Sequence, residues 1–289
     1  MKRLIFYFSA TGNSLYVARE LAKAVEIGEA VSIPSLMHSG EYDFEADEIG
    51  FVMPLYGHMP PNMAREFISK AKLKADYFFT VFTFGMRPGP VVAIWDEESS
   101  QAGYKMDYIN VVQLADNWLH HFNMDDQKRL DPEKRIPEHI QQIADDLARR
   151  RHWLRPVTAE DWDAHVQFQK GSGIKTEDGF RMESSERFVI TDRCVRCGVC
   201  VNVCPRNNYR RVGDHIETGG QCDYCLACIH NCPQKAIQFR PTSDPIPQAR
   251  GESRQPLPQS QRQPEGYRYG EQIAGSGAFC RASMDMEII

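Results

Sequence analysis

Lys2-Arg3-Leu4-Ile5-Phe6-Tyr7-Phe8 runs directly into Ser9-Ala10-Thr11-Gly12-Asn13-Ser14, and that junction decides the fold of the first half of the chain. The apolar run has the length and aromatic content of a strand buried on both faces. Leu15, Ala18, Leu21, Ala22 and Val25 then recur at helical spacing. A loop of hydroxyls and glycine thus joins the C-terminal end of a strand to the N-terminus of a helix. Free backbone N–H groups converge there and the helix dipole favours negative charge. Ser9, Thr11 and Ser14 supply hydroxyls, Asn13 an amide, and Gly12 lets the backbone approach closely. The other role open to Ser9 and Thr11 is to cap the helix. The loop has no lysine and no G-x-x-x-x-G-K-[ST], which excludes an NTP-hydrolysing P-loop. It also lacks the G-x-G-x-x-G of dinucleotide sites.

Working outward, Ala30–Pro34 reads as a short edge strand and Glu48–Met53 as a central one. A helix is expected from Asn62 to Lys72, a buried strand at Tyr77–Phe84, and a helix through Val92 and Trp95. Lys105–Leu114 reads as a fifth strand, and Ile136, Ile140, Ile143 and Leu147 share one face of a closing helix. Strands alternating with helices predict a doubly wound α/β unit with a parallel five-stranded sheet. Ligands of such sheets bind beyond the strand C-terminal ends.

The Ser9-x-Thr11-Gly12-x-Ser14 loop after the first strand resembles the phosphate loop of flavodoxins. The resemblance implies FMN, its phosphate held by Ser9, Thr11, Gly12, Asn13 and Ser14. It also implies that the loops after the third and fourth strands hold the isoalloxazine. By position these are Pro54, Leu55, Tyr56 and Gly57, and Thr83, Phe84 and Gly85. Tyr56 and Phe84 either stack on the ring or belong to the core. Arg87 lies either near the ring or in solvent. Asn117 and Trp118, after the fifth strand, lie where a third loop would reach the flavin.

Farther along, eight of the nine cysteines fall into two copies of one pattern. The first is Cys194-x-x-Cys197-x-x-Cys200-x-x-x-Cys204-Pro205, the second Cys222-x-x-Cys225-x-x-Cys228-x-x-x-Cys232-Pro233. Structural zinc takes four ligands per site and favours separated pairs, which these runs are not. The spacing is similar to that of bacterial-type 2x[4Fe–4S] ferredoxins, small α+β domains in which the fourth cysteine of each run ligates the other cluster. The resemblance implies one cluster on Cys194, Cys197, Cys200 and Cys232, and a second on Cys222, Cys225, Cys228 and Cys204. Gly198 and Ala227 read as equivalent small residues in the two runs.

At 289 residues the chain accommodates a large and a small domain. A net charge of −5 gives no electrostatic basis for nucleic-acid binding. No stretch reaches the 18 or so apolar residues of a membrane span. The expected organisation is a flavodoxin-like domain (1–153), a connecting segment (154–186), a ferredoxin domain (187–240) and a Pro/Gln/Arg-rich tail (241–289), disordered or draped on a partner, that carries Cys280 as a free thiol.

The whole resembles fused flavodoxin–ferredoxin proteins of anaerobes. That implies a cytoplasmic iron–sulfur flavoprotein passing electrons between two low-potential clusters and FMN for redox partner proteins. The alternative is an FMN-dependent reductase of a small molecule, for which His58, Tyr56 and His120 or His121 are the available acids. Arg193, Arg196, Arg206, Arg210 and Arg211 crowd the first cysteine run, either offsetting cluster charge, docking an acidic partner or facing solvent.

Overall fold

The computed structural model describes residues 1–25, 30–119, 121–172 and 187–240. His120, the later part of the connecting segment and the tail with Cys280 lie outside the described residues. The chain divides into two compact units, Met1–Phe180 and Arg181–Ile289.

In the first unit, β1 (Arg3–Tyr7), β2 (Ala30–Ser32), β4 (Glu48–Pro54), β6 (Tyr77–Phe84), β7 (Tyr108–Gln113) and β8 (Trp153–Leu154) form one sheet in the order β2-β1-β4-β6-β7-β8. Every pairing is parallel. Five of these strands fall where the apolar runs predict them. The sixth, β8, corrects the five-stranded expectation: it pairs Trp153 with Tyr108 and Leu154 with Ile109. The stretch expected as a connector from 154 is therefore partly built into the first unit. Another parallel pair, β3 (Asp43–Glu45) with β5 (Lys72–Lys74), lies apart from the main sheet.

Seven α-helices are described in this unit: α1 (Asn13–Ala24), α2 (Ile33–Ser39), α3 (Asn62–Lys70), α4 (Val91–Gln101), α5 (Met124–Leu130), α6 (Ile136–Ala148) and α7 (Ala159–Ser172). Ile33 and Pro34, read from sequence as strand, instead start α2. Ser32 caps it, accepting from the Ser35 N–H, and Pro34 suits the first helical turn. Helices cover both sheet faces, so the central strands read as continuous apolar runs. Phe6, Phe51, Phe67, Phe82 and Trp95 are wholly buried. Trp95 meets Phe51 and Phe82 edge-on at 5.8 and 6.2 Å. Its indole N–H is satisfied by Thr80 Oγ1 at 2.8 Å. At the opposite end of β4 from the candidate site, the buried carboxylate of Glu48 pairs with Arg3 and Arg150, each at 2.7 Å.

The second unit is built from short pieces: β9 (Phe188–Ile190), α8 (Val199–Val203), β10 (Tyr209–Val212), β11 (His215–Thr218), α9 (Ala227–His230) and β12 (Ile237–Phe239). β10 and β11 form an antiparallel hairpin, and β12 pairs antiparallel with β9. Among the described residues no helix is long and apolar enough to cross a membrane.

Candidate functional site

The predicted residues of the first unit meet at the C-terminal ends of β1, β4, β6 and β7. Gly12, at φ 102°, is the N-cap of α1 and offers no side chain to it, so the first N–H groups of the helix are left for another partner. Ser9 Oγ accepts from the Gly12 N–H at 3.2 Å, which shapes the loop and leaves the hydroxyl proton of Ser9 free to donate. Asn13 Nδ2 donates to Ala115 O at 2.9 Å, and Asn117 Nδ2 donates to Thr11 Oγ1. The loop after β7 is thereby tied to the loop after β1. Ser14 differs from expectation: it is buried, and its hydroxyl bonds Thr83 Oγ1 at 2.8 Å. These two hydroxyls dock α1 on β6 instead of facing a ligand.

The loop after β4 closes as a tight turn. Tyr56 and Met59 exchange backbone hydrogen bonds, with Gly57 at φ 58° and His58 at φ 67° between them. Positive φ at both central residues is the requirement of a type I′ turn, easy for glycine and uncommon for histidine. Leu55 N–H donates to Thr83 O at 3.2 Å, linking this loop to β6. The Tyr56 ring lies edge-on to Phe8 at 6.3 Å. Phe84 is half-buried, and Arg87 is exposed. At Gly85 a Cβ would stand 2.2 Å from Asp116 Oδ2, so only glycine permits this approach of the two loops. Gln113 Nε2 donates to Gly85 O at 2.8 Å. Burial pushes the Asp116 carboxyl above its ordinary range, partly offset by the Trp118 N–H it accepts at 3.0 Å.

Sequence reasoning missed α7. Its Phe168 packs on His58 at 5.4 Å and on Trp118 at 5.9 Å, and the His165 ring lies 5.8 Å from His58. The helix therefore spans two of the predicted loops. Burial, with smaller repulsion from His165 and Arg87 against attraction by Asp161, lowers the His58 pKa to about 4. Burial lowers that of His165 too. His121 is exposed and stands edge-on to Trp118 at 4.8 Å.

In the second unit the cysteines line two cavities. Cys194, Cys197, Cys200 and Cys232 line one, and Cys204, Cys222, Cys225 and Cys228 line the other. Each cavity thus takes three cysteines from one run and one from the other. Among the described residues no three His, Cys, Asp or Glu side chains are arranged to hold a single ion. The thiols ring a space, as a polynuclear cluster needs, instead of converging on a point. The two runs align residue on residue at an offset of 28 (222 against 194). Arg196 and Tyr224, Gly198 and Leu226, and Asn207 and Lys235 are matched pairs, all at positive φ. The counterpart of Gly198 is therefore Leu226, not Ala227.

Backbone N–H groups of Asn208 and Ala236 donate to Cys204 and Cys232 Sγ at 3.3 and 3.2 Å, again a matched pair. Tyr224 N–H reaches Cys222 Sγ at 3.4 Å. Burial pushes the thiols of Cys200 and Cys222 up to about 11 and about 12. Ligation by iron would displace these protons. Arg206 and Asp223 form a buried ion pair at 2.8 Å beside the second cavity.

The model of the flavodoxin domain matches residues 4–110, and that of the 4Fe–4S binding domain residues 188–210. The chain thus carries a flavodoxin domain followed by a 4Fe–4S ferredoxin motif, consistent with a fused flavodoxin–ferredoxin protein. Its fold in the first unit is flavodoxin-like, and the two domains support an iron–sulfur flavoprotein in electron transfer. No curated protein matches the chain. Among solved structures it is similar to a putative flavoprotein from Bacteroides uniformis, at 15% identity over 50% of this chain and 97% of that one, TM-score 0.33. A flavodoxin from the domain Archaea is 12% identical over 50% and 99%, TM-score 0.30. An FMN-dependent NADH-azoreductase from Bacillus anthracis is 9% identical over 51% and 100%, TM-score 0.33.

Proposed function

We propose that this fused flavodoxin–ferredoxin protein is an electron carrier holding two [4Fe–4S] clusters and FMN, and that it serves a partner redox enzyme in a reducing, cytoplasmic compartment. The observation that carries the reading is the pair of cavities, each lined by four cysteines in the crossed pattern of a two-cluster ferredoxin. The clusters would be held by Cys194, Cys197, Cys200 and Cys232, and by Cys204, Cys222, Cys225 and Cys228.

For FMN, the donor set after β1 fits a phosphate. Ser9, Thr11 and Asn13 are neutral donors beside a helix start with no side-chain cap. Ser14 adds a backbone N–H group, and Gly12 lets the backbone come close. The ring would lie among the Pro54–Gly57 loop, Phe84 and Gly85, and Asn117 and Trp118. When bound, flavin couples one-electron clusters to one- or two-electron partners. The protein's share is to fix that ring and keep water from it, and α7 rings on His58 and Trp118 suit the second task.

Direct reduction of a substrate needs a proton donor near the flavin. His58 is the candidate best placed by its loop, and with a pKa near 4 it is neutral at pH 7 and carries no proton to give readily. This favours the carrier. Exposed Cys197 lies among exposed Arg193, Val195 and Arg196, with Arg211 donating to Arg196 O, a surface suited to an acidic partner.

Anaerobic reductive titration of the reconstituted chain tests the reading. About eight irons per chain, bound flavin, and one-electron steps seen by absorbance and low-temperature EPR are expected. Four irons, no flavin, or flavin reduced only in a two-electron step would count against it.

A further inference from the structure

The 28-residue repeat gives most residues around one cavity a counterpart around the other, so side chains at matched positions can be compared directly. Some of the differences leave the sulfurs alike or offset one another. The N–H donors from 208 and 236 reach equivalent sulfurs. Arg206 stands where the first cavity has Gln234, but Asp223, standing where the first has Val195, neutralises it at 2.8 Å.

One pair differs in what it offers a cysteine sulfur. Tyr209, at the start of β10, is 3% exposed, and its O–H donates to Cys228 Sγ at 3.2 Å. Its counterpart is Ile237, at the start of β12, 2% exposed and with no donor on its side chain. Both line their cavities. One of the four sulfurs around the second cavity therefore receives a side-chain hydrogen bond that the first cavity cannot supply from the equivalent position.

The surroundings differ in the opposite sense. Cys197 of the first cavity is exposed, whereas Cys228 is buried. Cluster potentials depend on hydrogen bonds to the sulfurs and on solvent exposure. An added electron increases the negative charge on the ligand sulfurs. Water near the first cavity stabilises that charge, and burial withholds the same help from the second. A hydroxyl proton aimed at Cys228 Sγ restores part of it, because a donor to a charged acceptor is stronger than to a neutral one.

We propose that the Tyr209 hydroxyl raises the reduction potential of the cluster held by Cys204, Cys222, Cys225 and Cys228, and so holds it near that of its more exposed twin. This rests on the two-cluster reading above. With the two potentials close, an electron crosses between clusters in either direction without a steep step. Tyr209 acts through Cys228 and is a tuning residue.

The test is Tyr209→Phe in the full-length reconstituted chain, which removes one oxygen and keeps the ring. Potentials of the two clusters are followed by EPR-monitored redox titration, with iron and sulfide counted beside them. One potential is expected to fall by a three- to tenfold change in its one-electron equilibrium constant, tenfold being about 59 mV. The other stays put and iron content is unchanged. Unchanged potentials, an equal fall in both, or loss of one cluster would overturn the proposal, the last by assigning the hydroxyl to assembly. A wild-type chain that loads four irons breaks the two-cluster reading itself, which sets that failure apart from this one. Ile237→Tyr supplies the reciprocal measurement, with a rise expected at the first cluster only.

Discussion

The two units of this chain solve the placement of reactive groups in opposite ways. In the first, a six-stranded sheet with wholly buried Phe6, Phe51, Phe82 and Trp95 fixes the loops, and side-chain and backbone hydrogen bonds then knit those loops together. In the second, the longest described element is the five-residue α8, and a few buried apolar residues such as Phe188, Ile216, Ile229 and Ile237 pack beside two cysteine-lined cavities. Regular structure places the site in one unit. In the other, the cofactor has to supply much of the structure.

The largest test of that contrast is iron removal. Anaerobic chelation should unfold residues 187–240 while leaving the sheet intact, since structural metals in small domains contribute on the order of 10 kcal/mol. Hydrogen exchange would read protection lost from β9 to β12 and kept in β1, β4 and β6. Retained protection in both would mean that the second unit folds on its own apolar contacts.

Next in size, Gly85→Ala sets a Cβ against the Asp116 side chain. A cost of about 1–3 kcal/mol in the first unit is expected by denaturant titration, together with lower flavin content. The cysteine unit's iron count should not move. Smaller again, Thr11→Val removes a hydroxyl from the candidate phosphate loop, where a single hydrogen bond contributes about 0.5–1.5 kcal/mol. FMN affinity should drop by up to about tenfold by fluorescence titration.

The smallest effect is a pH dependence confined to the first unit. The folded His58 pKa, about 4, lies below its ordinary value of 6.5, so the unfolded chain binds more protons between the two. Stability from this group is fully present above pH 6.5 and is lost as pH falls toward 4. His165, also lowered by burial, acts in the same direction. His58→Asn, which tolerates positive φ, should flatten the acid limb of a thermal-melting profile relative to wild type.

What was legible in the sequence follows the same division. β1, β4, β6 and β7 announce themselves because strands covered on both faces must be apolar throughout. β8 has two residues, too few for any period, and Arg155-Pro156 after it reads as a break. α7 hides for another reason: Trp162 and Val166 are exposed while His165 is buried, the reverse of the usual pattern. β3 and β5 alternate charge about a single apolar residue. In the phosphate loop, residue types gave the chemistry but not the direction of Ser14, whose hydroxyl turned inward to Thr83. The cysteine spacing was the plainest signal, because three thiols within seven residues leave the backbone few ways to present them. Tyr209 could have been flagged by aligning the two runs at their offset of 28.

That repeat has a consequence for descent. Each cavity borrows its fourth thiol from the other run, Cys232 for the first and Cys204 for the second. Whatever duplication produced the pair, neither copy can since have been deleted, transplanted or inverted without breaking both. The copies are free to drift in the residues between their cysteines and are bound to be inherited together.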